Sequence, residues 1–200
     1  TDLSLMAVLE RDGNLELQRV AVGDHILLGG DNMDLALAYG VARKLAGQGT
    51  QLDAWQTRAL SHACRQAKEA LLNDASVATV PVVVPSRGSK LIGGAIRTEV
   101  TRDELNQILL EGFFPQVAVS DAPLSRARAG LTQLGLPYAQ DAAITRHLGA
   151  FLSRQREALA ELNGFEGSLS ASASFLHPTA VLFNGGVLKS SLLANRAHDV

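Results

Sequence analysis

Only one cysteine, Cys64, occurs in the 200 residues, so no internal disulfide can form and no cysteine pair offers a zinc site. That usage fits a reducing compartment, and the cytoplasm is the expected location. Aromatic residues are scarce at 4% and charged residues reach 19%; beside 46% hydrophobic residues this is too little charge for intrinsic disorder and enough apolar surface for a core. Neither sign of charge dominates. A formal net charge of -2 builds in no general attraction to phosphate backbones or anionic lipid, so neither nucleic acid nor membrane is an expected partner. Long apolar runs are missing as well. The longest, Val77 to Val84, is strand-sized and carries Pro81, whereas a membrane helix needs ~18 to 20 residues. Nothing resembles a cleavable signal. The chain begins Thr1-Asp2 without a methionine, and Leu192 to Val200 reads as a helix cut short, so the expectation is a piece of a longer protein.

Turn chemistry and apolar spacing organise what is there. Leu3 to Leu9 and Leu15 to Val22 flank Arg11-Asp12-Gly13-Asn14, which predicts an antiparallel hairpin. Met33, Leu37, Val41 and Leu45 recur every four residues, so a helix follows, with Asp31 expected as its N-cap and Gly47 as its C-cap. A second helix is predicted over Leu52 to Leu72, with Leu52, Trp55, Ala59, Ala63, Ala67 and Leu71 as its buried stripe. Arg65, Lys68 and Leu72 then share another face. Val77 to Val84 and Leu91 to Val100, joined through Pro85 to Ser89, predict a second hairpin. Thr101 and Glu104 have capping-box spacing and open a third helix that ends near Glu111-Gly112. Phe113 to Pro123 lacks any period and reads as loop. Leu124 to Leu134 and Asp141 to Asn163 read as helical, separated by Gly135-Leu136-Pro137, and Gly164 to Pro178 as a connector. Thr179 to Phe183 is predicted to be a buried strand in the sheet of the first hairpin, followed by a turn at Asn184-Gly185-Gly186 and a helix from Leu188. Strands and helices in this order predict an α/β domain with a mixed sheet.

Two glycine pairs, Gly29-Gly30 and Gly185-Gly186, each stand between an apolar run and a helix start. Glycine there permits φ above zero and close approach of a ligand, and the following helix attracts an anion. Neither matches the Walker or dinucleotide pattern. His25, His62, His147, His177 and His198 are scattered, none in ligand spacing with another His or Cys, so no metal site is expected. Lys68 on a helix is ordinarily a solvated charge, and Cys64 a small packed side chain. These features stop at an α/β domain with a phosphate-binding turn.

The order of pieces carries a resemblance. Thr1-Asp2-Leu3-Ser4-Leu5 looks like the end of a phosphate-loop segment, Gly23 to Asp34 resembles a Gly-Asp-Thr-His-Leu-Gly-Gly-Glu-Asp-Phe-Asp motif, and Arg65 to Leu71 resembles a Glu-x-Ala-Lys-x-x-Leu-Ser helix. Val100-Thr101-Arg102-Asp103-Glu104-Leu105 is close to Val-Thr-Arg-x-x-Leu, and Ala180 to Lys189 looks like Val-x-Leu-Val-Gly-Gly-Ser-Thr-Arg. All five motifs are those of the seventy-kilodalton heat-shock, or DnaK-like, chaperones, and the chain resembles a divergent bacterial member. The resemblance covers Thr1 to about Glu111 and Thr179 to Val200; residues 112–178 look like a subgroup feature.

The resemblance implies the second lobe of an actin-like (ribonuclease H-like) ATPase fold: a core subdomain over 1–30 and 112–200 with a mixed sheet and flanking helices, and a smaller α+β subdomain over 31–111. It further implies ATP or ADP with Mg2+ as cofactor of the full-length protein, none held tightly by this piece, and clients and co-chaperones as further partners. Carried over by residue, Gly29, Gly30 and Asp31 match the turn beside ribose and phosphates, Lys68 an adenosine-contacting lysine, Gly185 and Gly186 the adenosine turn, and Lys189 the arginine that stacks on the base. Asp2 matches an aspartate at the cation and phosphate site, the catalytic candidate. Three adenosine contacts are altered, since Arg65 stands for glutamate and Leu72 and Val187 for serines. An ATPase parent with an inactive isolated lobe is therefore the first reading. A non-catalytic interaction module on the same fold is the alternative from another class, and a sugar kinase of the same fold is the third.

Overall fold

Ser4–Arg11 and Asn14–Val22 form strands β1 and β2, paired antiparallel from Ser4 opposite Val22 to Arg11 opposite Asn14. Asp12 and Gly13 between them have φ of 51° and 79°. Positive φ at both central residues is the signature of a type I′ turn, whose twist matches that of the flanking strands. The pairing extends past the strands, with the Gly23 amide donating to the Leu3 carbonyl at 2.8 Å and the Ile26 amide to the Thr1 carbonyl at 3.1 Å. Leu5 and Ala7 alternate to one face and pack with Phe151, Leu152, Leu159 and Leu176.

The computed structural model describes residues 1–86, 94–124, 141–162, 165 and 175–200. The chain gathers into two compact units, one of Thr1–Leu28, Pro115–Phe183 and Arg196–Val200, the other of Gly29–Phe114 and Asn184–Asn195. The first unit holds the β1–β2 hairpin, α5 (Ile144–Arg154) and α6 (Arg156–Ala160). Asp141 organises the approach to α5. Its carboxylate accepts from the amides of Leu124 at 2.8 Å and Ala143 at 2.9 Å and from Arg146 Nη1 at 3.0 Å.

The second unit is built on two long helices, α1 (Gly30–Gly47) and α2 (Ala54–Asn73), with the hairpin of β3 (Thr79–Pro85) and β4 (Ala95–Thr101). The predicted capping box is present: the Glu104 amide donates to Thr101 Oγ1 at 3.1 Å and the Thr101 amide to Glu104 Oε2 at 2.9 Å. It opens α3 (Arg102–Leu105), which continues through a π-helical stretch, Asn106–Leu110, into α4 (Glu111–Phe113). Glu104 also receives Lys44 of α1 at 2.8 Å. A 3-10 turn, Val187–Lys189, precedes α7 (Ser191–His198), whose residues through Asn195 belong to the second unit.

The α/β class holds, with corrections in detail. Both sheets among the described residues are two-stranded and antiparallel, not one mixed sheet. Thr179 to Phe183 is no strand: it joins no ladder among the described residues, and Leu182 is 94% exposed. Apolar character made it look buried, but a short strand forms only where a neighbour accepts its backbone hydrogen bonds. The N-cap of α1 is Gly29, not Asp31, and its amide donates to Asn32 Oδ1 at 2.8 Å. Nor does Gly47 cap the helix; α1 runs through it to Gln48, and Gly49 takes the left-handed conformation at φ 85°. The buried face of α2 is Gln56, Leu60, Cys64, Ala67, Lys68 and Leu71, leaving Trp55 exposed, because the stripe is turned from the one its alanines suggested. The readings of Leu91 to Gly93, of Arg87 to Ser89, of residues 125–134, of Gly135-Leu136-Pro137 and of most of 164–174 lie outside the described residues.

Candidate functional site

Eight of the nine residues singled out in the sequence lie in the second unit, and Asp2 lies in the first. In the second unit, α1 begins at Gly30 with Gly29 extended before it at φ -169° and ψ -165°, a conformation open to any residue. Space beyond Gly29 is empty, since a Cβ built there would meet nothing within 4 Å. At Gly30 a Cβ would stand 3.5 Å from Lys68 Nζ and 3.6 Å from Val187 Cγ2. The start of α1, the Lys68 face of α2 and the Val187–Lys189 turn therefore meet at Gly30, and a side chain longer than alanine would displace them.

Lys68 is not a solvated charge. Only 7% of it is exposed. Its Nζ donates to the Gly30 carbonyl at 3.3 Å and lies 2.5 Å from Asp34 Oδ1, forming a buried ion pair. Burial pushes the Asp34 carboxyl above its ordinary value, an effect that Lys68 opposes. Helical spacing held the signal for this pair: Asp34 is three, seven and eleven residues before Leu37, Val41 and Leu45, so a helix that buries them buries Asp34. Beside it, the Nδ2 of buried Asn32 has no hydrogen-bond partner among the described residues, and neither has Oγ of buried Ser190, which follows the Val187–Lys189 turn. Buried polar groups are nearly always satisfied, so an unpartnered amide at a helix start is a place for an acceptor.

Arg65 is exposed, 3.2 Å from Glu69 and 3.8 Å from Asp31. Lys189 is exposed and makes no ion pair with the described residues. Positive φ in the second glycine pair belongs to Gly185, at 96°; Gly186 sits at φ -72° and ψ -33°, where any residue is at ease. A Cβ on Gly186 would meet nothing within 4 Å. The expectation that glycine is needed for its backbone freedom thus holds at Gly185 and fails at Gly29, Gly30 and Gly186. Cys64 is fully buried, and burial pushes its thiol up to about 12, which leaves it unreactive.

In the first unit, Asp2 Oδ1 lies 2.6 Å from His25 Nδ1, both side chains exposed. That hydrogen bond holds the Asp2 carboxyl below its ordinary value. His25 also lines a cavity of about 620 Å3 together with Leu3, Ile26, His147, Phe151 and Arg154. Among the described residues no group of three His, Cys, Asp or Glu side chains could hold a metal ion, and no helix is long and apolar enough to cross a membrane. No protein-family model matches the chain, and no curated protein matches it.

Proposed function

We propose that this chain is a nucleotide-binding lobe of a DnaK-like chaperone ATPase. The observation that supports it best is the start of α1, where bare glycine backbone, the N-terminal amides of an 18-residue helix, the Lys68 ammonium and the unpartnered Asn32 amide come together. The helix N-terminus and the Asn32 amide favour an anion such as a phosphate, while the Lys68 ammonium, whose charge Asp34 balances, holds the Gly30 carbonyl and so the start of the helix in place. On this reading ATP or ADP with Mg2+ sits against Gly29, Gly30 and Asp31, the adenosine runs along Arg65 and Lys68, and Gly185, Gly186 and Lys189 cover it. For Asp2, which lies in the first unit and hydrogen-bonds His25, the role at the cation and phosphate end rests on the resemblance alone. Hydrolysis would be phosphoryl transfer to water, in which positioned charges do most of the stabilising. The chain supplies one wall, so phosphate release by the lobe alone should not exceed a protein-free control.

Gly186 offers the sharpest test. Its backbone is relaxed and the space over it empty, so Gly186→Val should fold with an unchanged melting temperature yet obstruct a ligand on the turn. In the full-length protein calorimetric titration should show MgATP affinity falling at least about tenfold, ~1.4 kcal/mol. Gly185→Val, by contrast, forces a β-branched residue to φ 96° and should lower stability by ~1 to 3 kcal/mol. Unchanged ATP affinity in a folded Gly186→Val protein would remove the nucleotide reading. The interaction-module reading would then take its place, favoured by Val187, whose methyl packs over Gly30 where the resemblance calls for a serine hydroxyl.

A further inference from the structure

Among the described residues nothing covers one face of the first hairpin. Outward from the packed face point Met6, Val8 and Glu10 of β1, directly opposite Arg19, Leu17 and Leu15 of β2. Leu15 is 78% exposed, Leu17 68% and Val8 55%, and Met6 is nearly half exposed. A contiguous apolar face of this kind marks an interaction site rather than ordinary surface. Its charges are arranged at its ends: Arg19 closes one and Glu10 the other, and neither makes an ion pair with the described residues.

We infer that this face is a docking surface for a second copy of the chain. Consider a two-fold axis between two such faces, crossing the strands at the Val8–Leu17 row. It lays Val8 and Leu17 against their own copies and turns the Met6–Arg19 row of one chain onto the Glu10–Leu15 row of the other. Arg19 and the other copy's Glu10 then share each end of the interface, so opposite charges meet twice around an apolar centre. An axis along the strands would instead bring both copies of Arg19 to one end and both copies of Glu10 to the other, so like charges would meet. The observed placement therefore selects one antiparallel, isologous dimer. Six side chains form a face smaller than the ~800 Å2 per partner of a standard interface, so the dimer is weak and depends on concentration.

Sedimentation velocity on the chain between micromolar and several hundred micromolar should show reversible growth from the 21.1 kDa monomer to twice that mass. Arg19→Glu and Glu10→Arg lie at exposed positions; each alone sets like charges together and should weaken dimerisation about tenfold or more. Mixing the two variants should restore it, because the mixed pair regains opposite charges at both ends. A chain that stays monomeric throughout overturns the proposal and gives the face to another occupant. Dimers as strong as wild type in both single variants, or no recovery on mixing, also overturn it. Should either variant fail to fold by circular dichroism, Leu17→Ser makes the same decision: the proposal requires it to lower the dimer fraction, and a wild-type dimer fraction overturns it.

Discussion

Lys68→Ala should destabilise the chain by about 3 to 5 kcal/mol, the cost of leaving one member of a buried ion pair without its partner. The carboxylate of Asp34 would stay buried beside α2, and the Gly30 carbonyl would lose its ammonium donor. Asp34→Asn strands the Lys68 ammonium from the other side and should cost a similar amount. Replacing both with apolar residues of similar size, Lys68→Met with Asp34→Leu, should recover most of the loss, because the penalty is that of an uncompensated charge and not of a missing attraction. Thermal and urea denaturation of the four proteins checks this. The pH dependence has a definite sign. A carboxyl whose pKa is raised on folding binds its proton more tightly in the folded chain, so its contribution to stability is fully present below its ordinary value of 3.8 and is lost as pH rises through the folded pKa. Without Lys68 the Asp34 carboxyl rises further, so the deficit of Lys68→Ala relative to wild type should shrink as pH falls through the folded pKa of Asp34 in the variant. A constant deficit would mean that Asp34 does not titrate in the folded variant. Because this loss is structural, a drop in nucleotide affinity in Lys68→Ala would be ambiguous, and the Gly186 variant is the cleaner probe of binding.

Asp141→Ala should cost about 3 kcal/mol, since it leaves two backbone amides and a mostly buried guanidinium without their common acceptor. Burial alone would raise the Asp141 carboxyl, but the amides of Leu124 and Ala143 and the Arg146 guanidinium together hold it below its ordinary value of 3.8. Here the sign is opposite to that of Asp34. Stability from a lowered carboxyl is fully present above the ordinary value and disappears as pH falls through the lower, folded one. The gap between wild type and Asp141→Ala, measured by urea denaturation, should be constant near neutral pH and close below about pH 3.8. Asp141→Asn keeps one acceptor and turns an amide towards a donor, so it should fall between the two. A neutral-pH loss under about 1 kcal/mol for Asp141→Ala would show that water replaces the carboxylate at this junction.

Features specified within a few residues could be read from the sequence, and features settled by a distant neighbour could not. The Asp12-Gly13 turn and the Thr101–Glu104 capping box are local hydrogen-bond and dihedral problems, and both came out as their residue types require. Thr179 to Phe183 is the opposite case: five residues of suitable composition are a strand only if another strand lies beside them, and none does among the described residues. For α2, Ala59 and Ala63 gave the helical phase too little apolar contrast, and the stripe turned so that Cys64 and Lys68 went inside. At the candidate site, helical order identified Lys68, Gly30 and the turn that brings Val187 as separate points. Their meeting at Gly30 spans more than a hundred residues of chain and needed coordinates, whereas Asp34 could have been placed from its spacing to Leu37 and Val41.

The interleaving of the two units along the chain has a consequence for synthesis. The first unit is assembled from three pieces, and the long second piece begins only after Phe114, when almost all of the second unit has already been made. On a ribosome the hairpin of β1 and β2 emerges before either unit is complete, with Leu5 and Ala7 looking for Phe151, Leu152, Leu159 and Leu176, which do not yet exist. Helices α1 and α2 and the β3–β4 hairpin meet none of this delay, since their mutual contacts close within Gly29–Phe114, and domains of this kind fold as units while the chain lengthens. While the segment from Pro115 to Leu176 is being made, the nascent protein is thus a nearly complete second unit joined to a hairpin whose apolar side chains still lack their partners. That interval, rather than the finished fold, is when a chain of this design is most open to misassociation and to capture by holdases.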